Sequence, residues 1–274
     1  MDRLGWTDGA SFTAYGLRFG LRSNNAAVLT QVAPHLPLGW QPTSTDEVDI
    51  LYSLRVAPPS QCQGQRNYHL LFCGSALLAR SLEFSPLLTA FEKHAELLTA
   101  LRAQDCLFVH AGAVGWLGRA ILIPGRTMTG KTTLVRALVQ AGATYYSDEF
   151  AVLDKTGRVH PYPVPLSIRG PNGQPGVKTS VESLGGQAGI KPLPVGLVVV
   201  THYQPKARWR PRTLTPAQAL LALMDNTVAA QREPQYTMPI LRQAVMSART
   251  IQSKRGEAEK VAFALLRLAS HPEM

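Results

Sequence analysis

Cysteine is scarce in this chain, and the few present follow no pattern. Cys62, Cys73 and Cys106 are an odd number at spacings unlike those of a metal-ligand set. Reduced thiols and a cytoplasmic location are the expectation. Long apolar runs are lacking as well. The longest, Val195 to Thr201, has the length of a strand, well short of the roughly 18 residues that cross a membrane. No membrane partner is expected. The first residues, Met1-Asp2-Arg3-Leu4-Gly5-Trp6, do not show the basic-then-apolar order of a secretory signal. Acids are the third shortage: 18 Asp and Glu stand against 28 Lys and Arg, a formal charge of +10. With 45% hydrophobic and 17% charged residues over 274 positions, the composition suits a globular protein of one large domain or two smaller ones. No internal repeat is visible.

The cationic excess is concentrated once, in Lys206-Ala207-Arg208-Trp209-Arg210-Pro211-Arg212. On a strand its four cations would share one face. Three readings are open: an edge strand protected by charge, a docking patch for an anionic partner, or a nucleic-acid contact. No recognised nucleic-acid module accompanies the segment, so nucleic acid is not the expected partner.

Against these shortages stands one dense motif. Gly125-Arg126-Thr127-Met128-Thr129-Gly130-Lys131-Thr132 is a complete G-x-x-x-x-G-K-[ST] loop. Small residues let such a loop curl so that its backbone N–H groups face phosphate oxygens. Lys131 is placed to reach the β/γ-phosphates of a nucleotide, the Thr132 hydroxyl to ligate Mg²⁺, and Thr133 to open the helix behind them. The apolar run Ala120 to Ile123 before Pro124-Gly125 predicts a strand stopped by a turn. Leu134, Leu138 and Ala141 after the loop share one helical face, and Gly142 stands at the expected C-cap. Strand, loop and helix in that order aim a helix N-terminus at an anion. The alternative is a structural Gly/Thr turn.

Residues 1–84 are predicted as a β-rich N-terminal region, with strands at Ser11–Leu21, Val48–Val56 and Tyr68–Cys73 and a loop at Pro58–Gln65. Residues 85–274 form the predicted second domain. It opens with a helix over Pro86–Ala103. A strand over Leu107–Val114, a turn over Gly115–Gly118 and a returning strand over Arg119–Ile123 then make a hairpin that feeds the loop. A single strand over Ala143–Leu153 carries Asp148-Glu149 at its centre. Residues 170–194 hold six glycines and four prolines and are predicted as a long mobile loop. Further elements are a strand at Val195–Val200, a helix at Pro216–Met224 entered at Thr215, and a helix at Gly256–Leu268.

Four polar side chains outside the loop are candidates. A phosphate loop needs a carboxylate to complete the Mg²⁺ shell, and Asp148-Glu149 is the best placed pair. Their apolar neighbours Tyr145, Tyr146, Phe150 and Val152 argue against a solvated turn. His110, on an apolar strand, is either a satisfied core histidine or a supporting group. Arg169 either clamps a transferring phosphoryl group or is simply exposed.

Val109-His110-Ala111-Gly112, Pro124-Gly125 to Thr132, Ser147-Asp148-Glu149 and Ser167-Ile168-Arg169-Gly170 come in an order that resembles the catalytic domain of the bacterial HPr kinase/phosphorylase family. That family shares its core with the ATP-dependent phosphoenolpyruvate carboxykinases. The resemblance covers about a quarter of the chain, residues 105–175. It implies an α/β, P-loop ATP-binding domain of HPr kinase/PEP carboxykinase type. It also implies ATP and Mg²⁺ as cofactors, Asp148 as the group that takes the acceptor proton, Glu149 with Thr132 at the metal, and His110 and Arg169 in support. A homo-oligomer is open on the same ground. Met128 stands where the family has a further Gly, Ala111 breaks the His-Gly pair, and Glu149 replaces a second Asp. The expected reaction is therefore phosphoryl transfer from Mg·ATP to a hydroxyl on a protein, peptide or small molecule, with no specific expectation of HPr. A non-catalytic nucleotide-dependent scaffold and a nucleic-acid-linked NTPase are the alternatives.

Overall fold

The computed structural model describes residues 5–58, 66–126, 129–169, 176–230 and 233–271. The chain is mixed α/β and divides into two compact units, Met1–Asp105 and Cys106–Met274.

The first unit contains β1 (Asp8–Ala14), β2 (Leu17–Ser23), α1 (Ala27–Val32), β3 (Gln41–Thr43), β4 (Ile50–Arg55), β5 (His69–Cys73), β6 (Ala76–Ser81) and α2 (Ser85–Arg102). Its strands form one sheet in the order β3-β1-β2-β4-β5-β6. The stretch Ser11–Leu21, expected as one strand, is a hairpin. Tyr15 and Gly16 both have positive φ (51° and 81°), the backbone that a two-residue turn needs to match strand twist. Leu87, Phe91 and Ala95 of α2 recur at helical spacing and are buried with Phe12, Phe19, Tyr52 and Leu71. The helix expected to open the second domain thus belongs to the first sheet, and the division falls at 105/106 instead of 84/85. Of the expected loop at Pro58–Gln65, residues 59–65 lie outside the described residues.

The second unit begins with β7 (Cys106–Trp116) and β8 (Arg119–Pro124), followed by α3 (Lys131–Gln140), β9 (Thr144–Ser147), β10 (Phe150–Asp154), β11 (Val159–His160), β12 (Leu166–Arg169) and β13 (Gly176–Thr179). It continues with β14 (Val195–Tyr203), β15 (Arg212–Thr213), α4 (Pro216–Met224), α5 (Pro234–Met246), β16 (Arg249–Arg255) and α6 (Ala258–Ser270). The main sheet runs β11-β10-β7-β8-β14-β16-β15, with β9 also on β7. Strands β8, β14 and β16 are mutually parallel, whereas β7 pairs antiparallel with β8. The expected hairpin into the loop is present, but Gly115 lies within β7 and the turn is only Leu117-Gly118.

Both faces of this sheet are covered, and β8 shows how. Ala120 and Leu122 join the cluster that holds Leu223 of α4 and Leu241 of α5. Ile121 and Ile123 alternate with them into the cluster that holds Leu134 of α3 and Leu265 of α6. The N-terminus of α4 carries the anticipated cap. Thr215 and Gln218 bond each other's backbone N–H at 3.3 and 3.0 Å.

The segment expected as a long mobile loop is more ordered than its composition implied. Residues 170–175 lie outside the described residues. Beyond them, β13 pairs with β12. Tyr145 exchanges backbone bonds with Gln187 and Gly189 (2.8 and 2.7 Å), and Leu193 exchanges them with Val159. The Tyr146 hydroxyl donates to the Lys191 carbonyl at 2.7 Å. Glycine here lets the chain lie flat on a tyrosine; a Cβ at Gly189 would sit 2.4 Å from the Tyr146 ring. Among the described residues no helix is long and apolar enough to cross a membrane.

Candidate functional site

The loop leaves β8 at the edge where the parallel strands β8, β14 and β16 end, the usual place for a ligand in an open α/β sheet. Gly125 N–H donates to the His110 carbonyl at 3.2 Å, tying the start of the loop to β7. Lys131, at the first position of α3, is buried. Its Nζ donates to the carbonyls of Gly125 (2.6 Å) and Arg126 (3.1 Å), so the ammonium is enclosed by the backbone of its own loop. Thr129 Oγ1 donates to the Arg126 carbonyl at 2.9 Å and shapes the turn. Thr127 and Met128 lie outside the described residues. Arg126 and Thr133 are exposed.

The acidic pair comes from a break in an otherwise continuous strand. Ser147 faces Ala113 and Phe150 faces His110 on β7, so three residues on one side match three on the other. No residue is inserted, yet pairing lapses at Asp148 and Glu149. The buried Ser147 hydroxyl supplies the reason, accepting the N–H groups of Glu149 (3.2 Å) and Phe150 (3.1 Å) in place of the ladder. The expected single strand over Ala143–Leu153 is therefore two, β9 and β10, with the acids at the bend.

The bend gives the two acids different surroundings. Asp148 is buried and accepts hydrogen bonds from the Thr132 hydroxyl and, at 3.1 Å, from Tyr145 Oη. The single Tyr145 hydroxyl proton is shared with the Val164 carbonyl, the closer acceptor at 2.7 Å. Burial pushes the Asp148 carboxyl above its ordinary range, against the pull of those two hydrogen bonds. Burial likewise pushes the Lys131 ammonium down, opposed by the fields of Glu149 and Asp148. Both shifts have one origin, the withdrawal of charged groups from water. Glu149 is half exposed, and its Oε1 lies 3.6 Å from His110 Nδ1. His110 Nδ1 is also 2.9 Å from the Glu149 carbonyl. A carbonyl can only accept, so Nδ1 carries a proton and, in the neutral ring, Nε2 is left as the acceptor. The Thr132 hydroxyl has Asp148 as its partner, and the resemblance implied Glu149 with Thr132 at a metal. The backbone of Arg169 ends β12, opposite Gly176.

One participant has no signal in the sequence. Arg255, at the end of β16, is 1% exposed. Its Nη2 donates to the Gly130 carbonyl at 2.6 Å and its Nη1 to the Gly256 carbonyl at 3.1 Å. Nε is buried without a partner among the described residues. The guanidinium faces the ring of Tyr203, the last residue of β14, at 5.6 Å, and the Tyr203 N–H donates to the Thr129 carbonyl at 3.1 Å. Gly130 has φ of 84°, and a Cβ there would fall 2.4 Å from Arg255 Nη2. A glycine is therefore required for both backbone and space. Burial holds the Arg255 pKa below its ordinary value; Glu257, Tyr203 and Glu259 counter only through the field.

The arrangement gathers two buried cations, a helix N-terminus and a Thr–Asp pair around one loop. Such a site suits a polyanion carried with a divalent cation. No protein-family model matches the sequence, and no curated protein matches it either.

Proposed function

We propose that the chain binds Mg·ATP at this loop and transfers the γ-phosphoryl group to a hydroxyl, as an HPr-kinase-like phosphotransferase. The observation that carries the reading is the buried Lys131 enclosed by the Gly125 and Arg126 carbonyls of its own loop, at the end of β8 and the start of α3. A structural Gly/Thr turn has no use for a buried ammonium. The antiparallel β7–β8 hairpin entering the loop supports the family resemblance.

Lys131 Nζ and the loop N–H groups would hold the β/γ-phosphates, and the Thr132 hydroxyl with Asp148 would hold Mg²⁺. Among the described residues no three His, Cys, Asp or Glu side chains converge as a metal set, so the other ligands of a Mg²⁺ would be phosphates and water. The bound cation would neutralise charge on the phosphates. Asp148 is buried against Thr132 and Tyr145. Glu149 is accessible, so the proposed roles exchange: Glu149 takes the proton from the acceptor hydroxyl and His110 orients it. The acceptor oxygen forms the new bond to γ-phosphorus as the bond to the bridging oxygen breaks, leaving ADP.

Calorimetry and a transfer assay test this. Lys131→Ala should weaken Mg·ATP binding about tenfold or more, the worth of a desolvated charge-assisted contact. Glu149→Gln should abolish transfer and keep binding, whereas Asp148→Asn should weaken the Mg²⁺ dependence of binding. Equal ATP affinity in wild type and Lys131→Ala would remove the reading. Transfer lost selectively in Asp148→Asn would restore the opposite division of roles.

A further inference from the structure

The basic segment after β14 is a strap along the edge of the sheet. It starts at the loop, where Tyr203 N–H bonds Thr129 and Gln204 N–H bonds the Arg255 carbonyl at 2.9 Å. It passes over Gly256, where a Cβ would meet the Ala207 carbonyl at 2.9 Å. Arg210 N–H then donates to Ser253 Oγ at 3.0 Å, and the strap ends in β15 on β16. The sequence alternation is realised in space. Trp209 packs against the core that holds Ile251 and Leu265, and Ala207 is half-buried, while Lys206, Arg208, Arg210 and Arg212 are exposed. His202 and Lys254, opposite each other in register on β14 and β16, are exposed as well. Arg212 is held by Gln252 at 2.6 Å. Among the described residues no carboxylate forms an ion pair with any of these cations.

We propose that this strap docks an acidic, extended segment of a protein and so presents that protein's hydroxyl to the phosphate loop. The inference rests on the phosphoryl-transfer reading and names its substrate class. Lys206 stands in the turn ahead of the extended part of the strap, with φ of 62°. Arg208, Arg210 and Arg212 follow two residues apart, which on an extended chain is a repeat of ~7 Å, the spacing of alternate carboxylates on an extended peptide. β15 is the last strand of the sheet, and an outer edge is where a peptide adds as a further strand. A single-stranded nucleic acid asks for exposed aromatic faces on which bases stack; Trp209 packs against the core, and the exposed Tyr203 ring at the start of the strap faces the Arg255 guanidinium. The same surface explains how the chain tolerates unpaired like charges side by side: a partner supplies the acids.

Fluorescence anisotropy on the full chain decides it. The probes are a short labelled peptide alternating Glu and Ser, its Lys/Ser counterpart, and a length-matched single-stranded DNA. Wild type should bind the Glu/Ser peptide in preference to both others, with affinity falling as salt rises. Arg208→Ser with Arg210→Ser should weaken that binding about tenfold and leave Mg·ATP affinity unchanged. Arg208→Glu with Arg210→Glu should shift the preference to the Lys/Ser peptide. Tighter binding of DNA, or no preference for the acidic peptide, would overturn the proposal. The loop reading is scored separately: wild type that docks the peptide but fails to bind Mg·ATP retains the docking surface and loses the transfer.

Discussion

Arg255 shows how much of this site depends on a residue that does no chemistry in the proposed reaction. Withdrawing a guanidinium from water costs several kcal/mol unless its donors are met. Here Nη2 and Nη1 are met by the carbonyls of Gly130 and Gly256, while the buried Nε has no partner among the described residues. The carbonyl of Gly130 also accepts from Leu134 N–H at 3.2 Å, so the same atom anchors the first turn of α3. Arg255 therefore acts as a positioning residue for the loop. Arg255→Met keeps the apolar stem and removes the donors. It should lower Mg·ATP affinity about tenfold, the worth of a charged hydrogen bond of about 1.5–3 kcal/mol, with Arg255→Lys recovering part of the loss. Chemical denaturation of the same variants supplies the second readout. An unchanged ATP affinity with lowered stability in Arg255→Met would reduce the residue to a buried structural cation.

At the scale of elements, the approach of β7 to α3 sets how closely the helix can seat its N-terminus beside the acids. Gly112 lies on that approach: a Cβ there would fall 2.6 Å from Val135 Cγ2. Gly112→Val should cost about 1–3 kcal/mol of stability as overpacking forces α3 away, measured as a lower denaturant midpoint with unchanged slope. A variant as stable as wild type would mean that α3 moves freely. The elements that were legible in the sequence are those whose signals are local. The loop, the helix behind it, the hairpin ahead of it and the Thr215 cap each rest on neighbouring residues. What stayed hidden depends on distant partners. The break at Asp148-Glu149 is made by the Ser147 hydroxyl, which looks like any strand serine in the sequence. β16, Arg249–Arg255, reads as a polar segment because its buried positions include Thr250, Ser253 and Arg255. α5 carries an internal proline, Pro239, which masks its helical period. Glycines and prolines in 170–194 suggested mobility, but among the described residues Gly189 packs on Tyr146 and Leu193 pairs with Val159.

At the scale of the whole molecule, the two units have separate cores. The cluster of the first unit draws its buried residues from Phe12 to Ala95, whereas the two clusters of the second draw theirs from Leu107 to Leu266. The residues placed at the proposed nucleotide site lie between His110 and Arg255, in the second unit. A fragment spanning 106–274 has the length of an ordinary domain and keeps both clusters whole. It should fold cooperatively and bind Mg·ATP within about twofold of the full chain, a difference of under half a kcal/mol. The comparison fragment is 85–274, cut at the boundary that the sequence suggested. It carries α2 without the sheet that covers Leu87, Phe91 and Ala95, and should bind ATP equally but self-associate through that uncovered stripe. Calorimetry and light scattering on the two fragments separate the effects. A 106–274 fragment that is unfolded, or folded without affinity for Mg·ATP, would mean that the first unit is part of the site's foundation and that the two cores do not stand independently.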